Sequence, residues 1–116
     1  MHFKLIIALV EDVKTVAVME AARTAGATGA TIINQVRGEG VQVAKTFFGL
    51  ELEAQRDMLM FLVEEHLCRH ILEHIADIGR FDEGPGAGIA FQIDVEDIVG
   101  VNLQISKLHD AVEDKL

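Results

Sequence analysis

In the first half of the chain, apolar runs typical of strands flank a stretch with helical spacing of its apolar residues. Lys4–Val10 is an apolar run rich in leucine and β-branched residues, which predicts a strand. Helical spacing of apolar residues follows from Asp12 to about Ala25, with the Asp12 carboxylate predicted as the N-cap. Ala30–Arg37 is again typical of a strand. The first half is therefore predicted to fold as strand, helix, strand.

The second half repeats this order. Leu59–Val63 predicts a strand, helical spacing continues to about Ile78 where Gly79 ends the helix, and Gly88–Ile93 predicts another strand. Two strand-helix-strand units predict an α+β ferredoxin-like βαββαβ sandwich, in which a four-stranded antiparallel sheet carries two helices on one face. We expect one domain over residues 1–116.

The C-terminal part is predicted to add a short strand and a short helix. After Gly88–Ile93, an acidic turn around Val95-Glu96-Asp97 leads to a second short strand that ends near Val101. Asn102 is a candidate cap for a helix over Leu103–Leu116.

Both faces of the predicted strands are apolar. Leu5, Ile7 and Leu9 alternate with Ile6, Ala8 and Val10, and the Leu59–Val63 strand shows the same excess. Two helices can cover only one face of a sheet. The second apolar face therefore predicts an oligomer.

Composition excludes several classes of function. The 116 residues carry ten basic and nineteen acidic side chains, a formal net charge of -9, and neither tryptophan nor tyrosine, which argues against nucleic-acid binding. The apolar runs are too short to insert into a membrane, and the N-terminus has no pattern of a secretory signal. We therefore expect a cytoplasmic protein.

The connection between the two halves, Gly38–Gln55, is longer than a hairpin requires. It carries Phe47, Phe48, Leu50 and Leu52, which a solvated linker seldom contains. Two interpretations stay open: the segment docks on a partner or reorders with a ligand, or it folds back on its own oligomer.

Three short motifs resemble the PII family of signalling proteins across about Lys4–Val101. They are Val36-Arg37-Gly38-Glu39-Gly40-Val41-Gln42 at the start of the long connection, Gly86-Ala87-Gly88-Ile89 before the last long strand, and Val95-Glu96-Asp97. The resemblance implies a homotrimer that binds an adenine nucleotide (ATP, ADP or AMP) in clefts between subunits. It also implies that the 38–55 loop regulates a partner protein, for example a membrane transporter.

Carried over position by position, the resemblance places ligand-binding residues in two walls. One wall contains Arg37, Gly38, Gly40 and Gln42. The other contains Gly86, Ala87, Gly88, Ile89 and Phe91.

The chain departs from the family at several charged positions. Ile89 stands where the family has a phosphate-binding lysine, and Gly100 and Asn102 stand where it has two arginines. The family's nucleotidylated loop tyrosine has no counterpart, because the chain contains no tyrosine. Three charge-assisted bonds to phosphate are therefore missing, which argues against ATP and leaves three alternatives open: a less charged nucleotide, another small molecule, or no ligand.

The histidines indicate an alternative function. His66, His70 and His74 recur every four residues, so that their imidazoles follow one helix stripe on which neighbouring pairs can share a metal ion. The related CutA family, which has the same fold, is associated with divalent metals. The other interpretation is that these histidines are polar residues beside the apolar stripe Leu67, Ile71 and Ile75.

No catalytic constellation is apparent. The only serine, Ser106, lies in the predicted C-terminal helix, and the only cysteine, Cys68, lies on a helix predicted to face the core. The sequence therefore predicts a regulator and not an enzyme.

Overall fold

The structure is a computed structural model that describes residues 1–36, 46–47, 50–51, 56–84, 87–103 and 105–106. The elements in chain order are β1 (Phe3–Glu11), α1 (Thr15–Ala25), β2 (Thr31–Val36), β3 (Thr46–Phe47), β4 (Leu50–Glu51), β5 (Arg56–Glu64), α2 (Glu65–Gly79) and β6 (Gly88–Asp94). The predicted βαββαβ order is thus confirmed, with the short pair β3 and β4 inside the long connection. No helix in these ranges combines the length and the apolar character that crossing a membrane requires.

The main sheet has the strand order β2-β5-β1-β6, and all neighbouring strands are antiparallel. β5 and β1 lie at the centre, while β2 and β6 form the two edges. Side chains on one face of β1 and β5 are completely buried beneath the helices, among them Ile6, Leu59 and Phe61. Helix α2 contributes Leu67, Ile71 and Ile75 to this core, at the spacing that the sequence indicated.

The opposite face of the sheet is covered by no helix among the described residues. Three rows of three apolar side chains cross β5, β1 and β6, and every one of them is half-buried or exposed: Leu62–Leu5–Ile93, Met60–Ile7–Phe91 and Met58–Leu9–Ile89. We call this nine-residue surface the open face. It is the second apolar face that the alternation along the strands predicted.

The predicted cap of the first helix was wrong. Asp12 does not cap it: a 3-10 turn, Asp12–Lys14, follows β1, no side-chain cap bond forms, and the α-helix begins at Thr15. The second helix ends at Gly79, as predicted, and Arg80 adopts the left-handed conformation directly after it, at φ 54°. The buried ring of Phe81 packs on Gly79 and keeps the backbone close there.

The strand predicted before Val101 is also absent, since residues 95–100 form no regular element. Helical residues occur at Asn102–Leu103 and Ile105–Ser106, and Ile105 N–H bonds to the Val101 carbonyl at 2.9 Å. Residues 107–116 of the predicted helix lie outside the described part of the chain.

Candidate functional site

The structure describes four of the nine residues predicted to bind a ligand: Ala87, Gly88, Ile89 and Phe91. The other five, Arg37, Gly38, Gly40, Gln42 and Gly86, lie outside the described residues. The first wall of the predicted site is therefore represented by the residues that flank the long connection, Val36 at the end of β2 and Arg56 at the start of β5.

The described residues that border the two predicted walls lie at the same end of the sheet. Val36 pairs with Arg56, Arg56 pairs with Glu11, and the neighbouring residue Val10 pairs with Gly88. Because β2 and β6 are opposite edges, three strand spacings, about 14 Å, separate the two walls within one subunit. Within one subunit the residues that border the two walls are therefore not neighbours.

The strand before the long connection is irregular where it reaches this end. The pairing of β2 with β5 shifts register between Ile33 and Val36, and Gln35 adopts a φ of 60°. A non-glycine residue in the left-handed region costs roughly 1–3 kcal/mol and turns the strand locally. This bulge lies in the last residues of β2, directly before the long connection.

Arg56 is a buried cation. Its side chain is only 7% exposed, and its Nη1 lies 3.6 Å from Glu11 Oε1, beyond hydrogen-bond distance. Nε and Nη1 have no hydrogen-bond partner among the described residues. A guanidinium that is removed from water without such partners is costly, so its environment favours an additional anionic group.

The second predicted wall, which we call the glycine wall, is described from Ala87 onward, and there the ring of Phe81 lies against Gly88. This side chain is 7% exposed and packs against both Gly79 and Gly88, leaving no room for a Cβ at either residue. Ile89 and Phe91 continue from Gly88 onto the open face, opposite Leu9 and Ile7.

Lys14 connects this wall to two other elements. Its Nζ donates to the carbonyl of Gly79 at 2.8 Å and to that of Ala87 at 3.4 Å. Arg80, the residue directly after α2, directs its Nε to Glu83 at 3.5 Å. Lys14 therefore supplies a cation at the C-terminal end of α2 from a different element.

A groove of about 520 Å³ runs between α2 and β6, next to the glycine wall. Its floor is apolar and includes Leu72 and Phe81. Both arginines that line the groove are already paired, Arg69 with Glu73 at 2.9 Å and Arg80 with Glu83 at 3.5 Å. Asp77 and Asp82 add two further carboxylates. The groove is thus net acidic, and it does not supply the missing phosphate ligands.

The three predicted metal ligands divide into two groups. The rings of His70 and His74 stack with centroids 6.2 Å apart and an interplanar angle of 11°. His66 instead engages the buried carboxylate of Glu64, with Nδ1 2.5 Å from Oε1. Within the described ranges, the three-residue cluster with metal-binding potential is Glu64, Glu65 and His66, whose ligand atoms lie within 4.8 Å of one another.

The surroundings of Cys68 make its thiol unreactive. It is 1% exposed, its Sγ donates to Gln92 Oε1 at 2.9 Å, and burial raises the pKa of the thiol. This fits the prediction that Cys68 faces the core and is no accessible nucleophile.

Arg56 and Lys14 are the candidate site residues that sequence reasoning missed. Arg56 carried no distinguishing signal, because a charged residue at the start of an apolar strand is ordinary and Lys4 stands in the same place before Leu5. Lys14 carried none, since its partners lie 65 and 73 residues away.

Known proteins resemble the chain in both sequence and fold. The sequence profile of the family described as nitrogen regulatory protein P-II matches residues 3–104. A PII-like signaling protein of Thermus thermophilus is 25% identical, with a TM-score of 0.60 over 82% of this chain and 87% of that one. No curated protein matches the chain in sequence.

Two more distant structures share the fold. GlnK of B. subtilis is 17% identical, with a TM-score of 0.67 over 88% of this chain and 92% of its own. CPII of Thiomonas intermedia, solved with ADP, AMP and acetate, is 20% identical, with a TM-score of 0.60 over 83% and 90%. Since the family profile covers nearly the whole chain, the protein belongs to the P-II family, whose members are regulators and not enzymes.

Proposed function

We propose that the protein is a homotrimeric P-II regulator that binds a small anionic effector in clefts between its subunits. An adenine nucleotide, ADP or AMP, is the first candidate, and the 38–55 loop transmits the bound state to a partner protein in the cytoplasm, for example a membrane transporter. The observation that carries this proposal is the buried guanidinium of Arg56 at the root of that loop.

Arg56 supports an anionic effector on energetic grounds. The half-exposed Glu11 carboxylate is its only close counter-charge among the described residues, and its 3.6 Å separation leaves two buried donor nitrogens unsatisfied. A phosphate or carboxylate can accept two parallel bonds from a guanidinium. An effector that supplied this group would lie next to Val36 and hence at the root of the loop.

The open face supports the trimer. Nine apolar side chains form a continuous surface on the sheet, and a surface of this kind commonly marks a protein interface. In a cyclic trimer whose axis runs roughly along the strands, the β2 edge of one subunit approaches the β6 edge of the next. The root of the loop and the neighbour's glycine wall then meet at the same end.

The proposed cleft lies between these two walls. One subunit contributes Arg56 and the predicted Arg37, Gly38, Gly40 and Gln42. The neighbour contributes Gly86, Ala87, Gly88, Ile89 and Phe91. The structures of CPII with ADP and AMP, and with ADP and bicarbonate, make these molecules the natural first probes.

Calorimetry with ADP, AMP, ATP and bicarbonate tests effector binding. We expect at least one of them to bind the wild-type protein, and Arg56→Met to raise its Kd at least about tenfold. Methionine keeps much of the side-chain volume, so the variant should stay folded. Arg69→Met is the matched control, because Arg69 is 76% exposed and paired with Glu73. Absence of binding by the wild type, or equal losses in both variants, contradicts the proposal.

The loop is tested separately by capture of partners from cell membranes. Protein with and without residues 43–54 is used as bait, and we expect a partner to be retained only by the complete loop. Equal recovery with both baits contradicts a role of the loop in partner binding.

Divalent-metal binding by α2 is the second candidate function. The observation that favours it is the Glu64, Glu65 and His66 cluster, together with the stacked His70–His74 pair one turn further along. Zn²⁺ calorimetry on chelator-treated protein tests it with His66→Ala and His70→Ala. Loss of Zn²⁺ heat in either variant supports a metal site, and absence of heat in the wild type excludes it.

A further inference from the structure

Lys14 joins both ends of the segment that precedes β6. It is half-buried in the 3-10 turn between β1 and α1, and its Nζ donates to the carbonyls of Gly79 and Ala87 at 2.8 and 3.4 Å. Gly79 is the last residue of α2, and Ala87 directly precedes β6. One ammonium group therefore fixes where the segment starts and where it ends.

The end of a helix is a favourable place for this ammonium. The last carbonyls of α2 have no partner within the helix and form its negative pole. Lys14 donates to the Gly79 carbonyl at this pole from the turn between β1 and α1. A second N–H of its ammonium group donates to the Ala87 carbonyl. Bonds from a charged donor are stronger than neutral ones, and partial burial at Lys14 limits competition from water.

The bond to Ala87 also orients the next amide. The peptide bond is planar and trans, so its carbonyl and its N–H point in opposite directions. Because the Ala87 carbonyl points toward Lys14, the N–H of Gly88 points away from it. Gly88 carries no side chain, and the ring of Phe81 packs on its backbone in the space that a Cβ would need.

Local sequence offers no replacement for this anchor. Residues 81–100 contain no lysine or arginine, and the side chain of Arg80 is directed to Glu83. The second fixed point of the segment is apolar, namely the ring of Phe81 packed on Gly79 and Gly88.

We propose that Lys14 is a positioning residue of the effector site, which holds the Ala87–Gly88 peptide in the orientation that a ligand requires. The link to ligand binding rests on the proposed function. Lys14 touches no ligand in this assignment and acts through the backbone of the glycine wall.

Three variants test the proposal. Lys14→Met removes the donor at nearly constant length, and Lys14→Arg retains a charged donor. Lys4→Met is the matched control, because Lys4 lies on β1 and binds Asp94 at the opposite end of β6. Hydrogen exchange of the amides in residues 79–88 is measured on ligand-free protein, and ADP affinity is measured by calorimetry.

In Lys14→Met we expect exchange of this segment to be at least about tenfold faster and ADP binding at least about tenfold weaker. Lys14→Arg should retain exchange rates and ADP affinity close to those of the wild type, and Lys4→Met should change neither quantity. Unchanged exchange in Lys14→Met overturns the anchor, and faster exchange with unchanged ADP affinity overturns the positioning role. If the wild type does not bind ADP, the role of Lys14 in ADP binding is overturned, while the exchange data still decide whether Lys14 anchors the segment.

Discussion

The ring of Phe81 occupies the space that a side chain at Gly88 would need. A Cβ at Gly88 would lie 2.5 Å from two ring carbons, and the same ring covers Gly79. Non-bonded carbon atoms do not approach each other this closely, so a Cβ at Gly88 would force the ring or the backbone to move. The end of α2 and the start of β6 can therefore approach each other because both residues are glycine.

We expect Gly88→Ala to lower the free energy of unfolding by about 1–3 kcal/mol, because the ring or the backbone has to shift. Urea denaturation measures the loss. Gly84→Ala is the control, since a Cβ there would meet nothing within 4 Å. In a Phe81→Ala background the added cost of Gly88→Ala should fall clearly, and full additivity of the two substitutions would contradict the clash.

Ile7 lies at the centre of the open face, between Met60 and Phe91. Placing a carboxylate there should separate the subunits, because a buried charge without a partner is costly. We expect light scattering to show a trimer for the wild type and a monomer for Ile7→Asp. Ile78→Asp, at an isoleucine of α2 that is 45% exposed, should leave the trimer intact. A monomeric wild type would contradict the assembly.

Thr15 donates its hydroxyl to the buried carboxylate of Asp57 at 2.5 Å, joining the start of α1 to β5. Thr15→Val removes this donor while preserving shape, so we expect a loss of about 1–3 kcal/mol in the free energy of unfolding. Thr24→Val in the same helix is the control, because Thr24 is exposed. Equal effects in both variants would show that the bond to Asp57 contributes little.

Cys68 should resist alkylation in the folded protein. The thiolate is the reactive form, and burial both raises the pKa of this thiol and blocks access. We expect iodoacetamide at pH 8 to modify the native protein at least about a hundredfold more slowly than the urea-unfolded chain. Similar rates in the two states would mean that α2 opens from the sheet readily.

The ionisation of Asp94 makes the free energy of unfolding depend on pH in the acidic range. Hydrogen bonds from Lys4 and then from His2 lower the pKa of its carboxyl below the ordinary value. A lowered folded-state pKa contributes stability above the ordinary pKa, and this contribution is lost as pH falls from about 4 through the lowered value. The Asp94 side chain is 66% exposed, so the effect on the free energy of unfolding should be small. The stability difference between wild type and Asp94→Asn should vanish at low pH, and a constant difference would contradict this origin.

Most of the architecture follows from local patterns in the sequence. Apolar runs followed by helical spacing identified both strand-helix-strand units. The spacing of apolar residues along the chain depends only on which residues face the core. The same reasoning predicted the apolar open face from the residues between the buried positions of β1 and β5. Local chemistry failed at Asp12, where the start of the helix depends on packing against other elements.

The candidate site was only partly accessible from sequence. The motifs around Gly38–Gln42 and Gly86–Ile89 indicated the two walls but not their relative position. Arg56 and Lys14 became candidates only when burial and partners were known, since β-strand pairing brings together residues far apart along the chain.

The sequence by itself determined the order of elements, the apolar faces and the family, because these follow from short-range periodicity and short motifs. Only the tertiary structure decided that the residues bordering the two candidate walls lie at one end of the sheet, that Arg56 is buried there, and that Lys14 donates to the carbonyls of Gly79 and Ala87. These relations depend on contacts between residues as distant in sequence as Val10 and Gly88 or Lys14 and Ala87, which no local pattern encodes.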